Sequence, residues 1–545
     1  MWVRDLLFFG LGLSGLAALS TGLLSAQRVE PPLEYRAAYQ APALQRALAE
    51  LNREFQQQWQ ERQLTPAPRA DDLTIARRLS LALTGTIPSF EEIRALEARP
   101  ADERLHWWVS RLLADRRYAD YVAERFARAF VGTEEGPFLI YRRRRFVSWL
   151  SDQLQHNTPY DQIVRQLISG TGLWTDSPGV NFLTATVMED SDGRTDPIRL
   201  AARTSRAFLG MRIDCLQCHD DYLGNVVLGS PDSPRDGLQS DFHQLAAFYS
   251  QANTSLLGVK DDDQLYQYKY LDAEVEEEVP AIVPFGPELL SAEGTRRQQL
   301  ARWVTHPQNK PFARASVNRI WALMLGRPLV EPIDDIPLHG EYPPGLETLA
   351  DGFVDSGYDL QWLIRVIAAS DVFQRDSRAA FDVTSEHERH WAIFPLSRLR
   401  PEQAAGSLIQ ASSLKTIDSG AHIIKQVGRF AQQYEFIVRY GDLGEDEFDD
   451  RGGTVAQRLL MMNGELTRKR TDHNPLINAA SRIALLSPSD EKAIETAYLC
   501  VLTRRPTDTE RSHFLEAFKQ QAARTPSVED LYWILLNSTE FSWNH

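Results

Sequence analysis

Apolar residues recur at spacings of three and four along most of the chain, the period of helices that bury one face. Helix start signals punctuate the pattern. Ser89 with Glu92 forms a capping box, while Asp196-Pro197 and Thr158-Pro159 each set a cap residue before a proline at the first helical position. Thr507 with Glu510 and Ser527 with Asp530 open helices near the end. Alternating runs are scarce, Val279–Pro284 being the best strand candidate, so the pattern predicts a mainly α, multi-helical protein with few or no strands. One grammar occurs twice. Leu83-Thr84, Pro88-Ser89 and Leu112–Asp115 with Tyr118 are echoed by Leu502-Thr503, Pro506-Thr507 and Leu535–Ser538 with Phe541. The order predicts two similar helical units bracketing the chain, against independent reuse of common capping residues.

Leu6 to Ala26 is a run of 21 residues without a charge, set between Arg4-Asp5 and Arg28. That is the length of a signal h-region or a single span, so residues 1–27 are expected to be a signal peptide or a membrane anchor. The composition shifts again between Lys260 and Val279, where Asp261, Asp262, Asp263, Asp272, Glu274, Glu276, Glu277 and Glu278 gather around tyrosines and leucines. Residues 256–290 are therefore expected to be an acidic linker between a first helical half, 28–255, and a second, 291–545. A further acidic stretch, Asp442 to Asp450, is predicted to be an exposed loop.

The formal charge of −15 argues against a nucleic-acid partner, since phosphate backbones draw on basic clusters and the one tight basic run is Arg142 to Arg145. A hydrophobic share of 43% with 24% charged residues is ordinary for folded domains and fits neither a disordered chain nor a polytopic membrane protein. Three cysteines, Cys215, Cys218 and Cys500, are too few for a disulfide-stapled fold.

Two of those cysteines stand in Cys215-Leu216-Gln217-Cys218-His219. Random placement of three cysteines and twelve histidines produces this spacing about 0.0004 times in such a chain, and it is the spacing of c-type haem attachment. Two thiols add across the porphyrin vinyl groups, and His219 follows at once to ligate iron from the proximal side. Covalent haem attachment takes place outside the bacterial cytoplasm, so leader and motif support each other. A Cys215–Cys218 disulfide or half of a zinc site are the competing readings, and zinc would need two further ligands. For the sixth iron position His243 is the candidate distal ligand, with Met211 and Met188 the nearest thioethers.

Other constellations are thin. His387 and His390 flank Glu388 one residue short of the zinc-protease spacing. Asn318, Arg319, Asp334 and Asp335 are the polar candidates for a pocket in the second half, the alternative being a buried polar network between helices. Cys500, in an apolar helical stretch, is expected to be buried.

The chain resembles the planctomycete cytochrome C domain proteins, in which a cytochrome-c-like half precedes a planctomycete-specific C-terminal domain of unknown function. In the first half the resemblance rests on Arg77–Gly85, Pro159–Gln162, Phe208-Leu209-Gly210 running into Cys215–His219, Asp241-Phe242 and Leu245–Phe248. In the second it rests on Arg296-Arg297, Phe312-Ala313-Arg314, Val317–Trp321, Leu329–Pro332 with Asp334-Asp335, Ser356–Leu360 and Leu536–Ser538 to His545. Here the chain departs from the family pattern at Asp221, where relatives commonly carry a second histidine, and in the insertion Gly224 to Gly237. The resemblance implies an exported protein with one covalent haem c, periplasmic or anchored in the inner membrane facing the periplasm, and no settled activity. Electron transfer to a redox partner protein is the leading expectation, with the C-terminal half as docking or scaffold domain. The runners-up are a haem-dependent or pocket-based enzyme acting on a small molecule or glycan, and a haem-free structural protein.

Overall fold

Asp196 accepts hydrogen bonds from the amides of Ile198 and Arg199, Pro197 stands at the first helical position, and Gly210, with φ +61°, closes the helix Pro197–Leu209. Capping of this kind sets most of the architecture. The computed structural model describes residues 35–133, 141, 143–187, 193–255, 257–271, 273–417, 455–464, 478–521 and 523–545. The apolar leader, Arg142, Met188, Asp272 and the acidic stretch Asp442 to Asp450 lie outside them.

The described residues form a mainly α protein, and their strands are confined to four two-stranded antiparallel sheets. Three of these sheets follow the cysteine motif: Val227–Ser230 with Ser233–Asp236, Ala252–Ser255 with Gly258–Asp261, and Gln267–Tyr268 with Glu277–Glu278. The fourth pairs Ser397–Arg398 with Trp543–Asn544. The run Val279–Pro284 is not a strand; Val279 and Val283 are simply buried beyond the short Glu277–Glu278 pairing. Two helix starts also differ from expectation. Pro159 rather than Thr158 occupies the cap before Tyr160–Ser169, and the helix Arg524–Leu536 begins three residues ahead of Ser527. There Arg524 anchors the first turn by donating to Asp490 and to the Ser487 carbonyl.

One apolar core runs through both halves. Tyr160 stacks on Phe312 with centroids 5.5 Å apart, and Phe55 on Trp321 at 5.8 Å. Trp107, Trp108, Trp303 and Trp321 are fully buried, each contributing about 1.5–3 kcal/mol through the area withdrawn from water. The acidic segment joining the halves is itself packed: Tyr266, Val279, Val283 and Phe285 belong to this core, and Asp261 takes the fully buried Arg297 at 2.6 Å. A second core gathers the C-terminal helices around Leu81 and Ile87, with Cys500 inside it. Among the described residues no helix is long and apolar enough to cross a membrane.

The two bracketing units have the same order of parts. Asp72–Thr84 ends at left-handed Gly85 (φ +65°), and Asp490–Leu502 ends at left-handed Thr503 (φ +59°). Capping boxes Ser89/Glu92 and Thr507/Glu510 then open the next helices, and a third helix in each leads to a buried aromatic, Tyr118 or Phe541. The units touch. Arg77, buried in the first, donates to the carbonyls of Val501 and Phe541 in the second.

Candidate functional site

The motif hangs from the end of Pro197–Leu209. At Gly210 a Cβ would stand 3.0 Å from Ile336 Cδ1 and 3.2 Å from Ala315 Cβ, so the chain turns tightly over the second half. The Ile336 amide donates to the Gly210 carbonyl at 2.7 Å. Arg206 Nε reaches Asp214 at 2.7 Å and Arg212 Nε reaches Asp334 at 2.7 Å, tying both sides of this turn to residues that flank it. Asp214–Gln217 then forms a single 3-10 turn bearing Cys215, and the Cys218 amide donates back to the Cys215 carbonyl.

Cys215, Cys218 and His219 are all exposed, and both cysteines are free thiols. Local burial, with the Asp221 carboxylate adding to it, pushes the Cys215 thiol up, which disfavours thiolate chemistry at neutral pH. His219 Nδ1 lies 2.7 Å from the Asp220 carbonyl, an acceptor only, so Nδ1 carries the proton and Nε2 keeps its lone pair. This is the tautomer that a histidine ligand bound through Nε2 requires. Two exposed thiols and an imidazole therefore stand on one short turn.

Beneath the turn, three donors converge on the backbone carbonyl of Gln217, one of the two residues between the cysteines. His243 Nε2 stands at 3.0 Å, Gln239 Nε2 at 3.1 Å and the Tyr268 hydroxyl at 3.3 Å. The other imidazole nitrogen, Nδ1, accepts from the Tyr266 hydroxyl at 2.9 Å, so the neutral Nε2–H tautomer is specified from both sides. Burial holds the His243 pKa below its ordinary value, in keeping with that neutral form. The ring stacks on Tyr268, with centroids 3.4 Å apart, and meets Tyr270 edge-on at 5.8 Å.

His243 is also the residue expected as distal ligand. It is buried with both nitrogens engaged and would have to abandon Gln217 or Tyr266 to reach iron. Met211 is buried as well. Asp221 is occupied too: its carboxylate accepts the amides of Leu223 at 3.0 Å and Val226 at 2.6 Å, which organises the start of the insertion. Those amides hold its pKa below the ordinary value.

The second-half candidates are brought together only in part. Asn318 is buried and spends its amide on Val330 and Ile333, a structural tie. Asp334 serves the arginines beside the motif, and burial raises Asp335 despite nearby Arg212. Arg319 is half-buried on the helix Lys310–Leu325. His390 pairs with Glu386 at 3.3 Å, and His387 Nδ1 caps Thr384. No group of three or more His, Cys, Asp or Glu among the described residues is arranged to hold a metal ion. Cys500 is buried, its thiol pushed up to about 12 by desolvation.

Gln239, Tyr266 and Tyr268 went unnoticed in the sequence. The available signal was the period-two spacing of Tyr266, Tyr268 and Tyr270, a strand-like alternation hidden in acidic surroundings.

Residues 50–253 match the family PSCyt2, a protein of unknown function (DUF1549), and residues 296–436 match PSD1, a protein of unknown function (DUF1553). Both are domains of unknown function typical of planctomycete proteins. No curated protein and no solved structure matches the chain.

Proposed function

We propose that this chain, in which a PSCyt2 region is followed by a PSD1 region, is an exported c-type haem protein that passes electrons. One arrangement carries the reading: Cys215 and Cys218 lie exposed on one pinned turn, and His219 has its Nδ1 proton committed to the Asp220 carbonyl. Cys215 and Cys218 would hold the porphyrin through thioethers and His219 would ligate the iron. The haem, once bound, supplies one-electron redox chemistry. The chain's own residues do the rest. His243, Gln239 and Tyr268 fix the height of the turn, and Asp220 fixes the tautomer of the ligand. The second half acts as scaffold through Ile336 and Asp334, which hold the segment entering the motif.

The test is a pyridine haemochrome spectrum of the full chain expressed with haem-attachment machinery. One c-type haem per chain, abolished by Cys215→Ser with Cys218→Ser, is the expected result. Absence of haem with both thiols intact overturns the proposal.

The engagement of both His243 nitrogens favours a second reading, in which a haem held by Cys215, Cys218 and His219 would support enzyme chemistry on a small molecule. Rapid CO binding by the reduced protein would support it, and sluggish binding would favour electron transfer.

A further inference from the structure

The turn bearing the cysteines sits in the most acidic part of the chain. Residues 214–278 hold fourteen carboxylates against Arg235, Lys260 and Lys269, a net −11 out of −15. Four carboxylates in the stretch are compensated by arginine: Asp214 by Arg206, Asp241 by Arg235, Asp261 by Arg297 and Asp262 by Arg194. Asp232, Asp236, Glu274, Glu276, Glu277 and Glu278 are exposed.

Large apolar side chains stand out of this acidic field. Tyr222 is 73% exposed, Leu223 84% and Leu271 66%, with Leu238 at 43%. One ring contact and a set of hydrogen bonds place them around the motif. The Tyr222 ring lies parallel to His219 at 6.1 Å, and the Leu223 amide is held by Asp221. Asp220 takes the amide of Gln239, next to Leu238, and the Gln239 side chain takes the amide of Leu271. Isolated exposed leucines are ordinary, but several gathered around one turn and rimmed by a single sign of charge have the anatomy of a docking surface.

We propose that the face formed by Tyr222, Leu223, Leu238 and Leu271, with its rim of carboxylates, docks a cationic protein that presents lysines or arginines around an apolar centre. The identification of that protein as a redox partner rests on the haem reading above; the docking itself does not. Charge decides the occupant. A second copy of this chain would bring a like-charged rim to the same face, whereas a basic partner is steered to it over a Debye length. The apolar side chains then supply the short-range contact that charge alone lacks.

The experiment titrates the full chain with a lysine-rich mono-haem cytochrome c as the probe, and with an acidic cytochrome of similar size as the control. Calorimetry should show binding of the basic probe alone, weakening about tenfold or more between low and physiological salt. Leu223→Ser with Leu271→Ser, and separately Glu276→Gln with Glu277→Gln, should each weaken it about tenfold, while Asp508→Asn on a C-terminal helix leaves it unchanged. Because all these positions are exposed, unchanged thermal melts confirm folding. Equal binding of the acidic control, no binding of the basic probe, indifference to the leucine pair, or self-association through this face in sedimentation would each overturn the proposal. Repeating the titration on Cys215→Ser with Cys218→Ser separates the two claims: patch-dependent binding without haem sustains the docking face even if the haemochrome test fails.

Discussion

His243 Nε2 lies 3.0 Å from the carbonyl oxygen of Gln217, and through that bond a buried imidazole sets the position of an exposed thiol-bearing turn. His243→Ala deletes one of three donors on that carbonyl and leaves the Tyr266 hydroxyl without its acceptor. The expected cost is about 1–3 kcal/mol, with alkylation of Cys215 and Cys218 by iodoacetamide quickened several-fold. His243→Gln, whose amide can still donate and accept, should restore most of both. Unchanged alkylation in the alanine variant would show that the bond does not order the turn.

Glu92 offers a pH test. Burial alone would raise its carboxyl, but Arg117 and Arg111, bonded to it at 2.5 and 2.7 Å, outweigh burial and hold it down at about 2. A folded-state value below the ordinary 4.5 means that its stabilisation is complete above that pH and fades as the pH falls toward 2. Glu92→Gln should therefore cost about 3 kcal/mol in urea unfolding at pH 7, because Arg111 loses its buried carboxylate and Arg117 keeps only Asp115. At pH 2 the gap between variant and parent should narrow. A pH-independent difference would refute the assignment.

Thr503 is a β-branched residue in the left-handed region, at the place where the first unit uses Gly85. Its buried hydroxyl has no partner among the described residues. Thr503→Gly relieves the backbone and removes the unmet hydroxyl, against the extra freedom glycine has when unfolded. Thermal or urea unfolding should show a gain of about 1 kcal/mol, and a loss would mean that the threonine methyl packs better than the strain costs.

Gly210→Ala tests the join between helix, motif and second half. The new Cβ would meet Ile336 and Ala315 in a left-handed backbone, at an expected cost of about 1–3 kcal/mol. On the haem reading, haem yield should fall with it, since the turn bearing Cys215 begins four residues later. Full stability and full haem incorporation would show that the close approach is relaxed at no cost.

The sequence disclosed local events well, because caps are read from a few adjacent residues. Asp196-Pro197, Ser89/Glu92, Thr507/Glu510 and the stop at Gly210 all appear as expected. It disclosed distant pairings poorly. Arg212 finds Asp334 across more than a hundred residues, and the acidic stretch conceals that Tyr266 and Tyr268 turn inward onto His243. Charge dominates the appearance of that stretch, while burial depends on which face of a short hairpin meets the core. Of the candidate site, the reactive trio Cys215, Cys218 and His219 was legible from spacing. Its supports were not, since a hydrogen bond to a backbone carbonyl leaves no mark on the identity of the residue that accepts it.

Arg77 and Arg78 carry a consequence for the order in which the molecule assembles. Both guanidinium groups are buried in the helix Asp72–Thr84, and the carbonyls that receive them belong to residues 373, 375, 501, 541 and 545. A chain emerging from the ribosome thus makes these cations hundreds of residues before their acceptors exist. The first unit must wait, partly open, until the last helices arrive, so folding here is expected to be slow, post-synthetic and dependent on contacts of very long sequence separation.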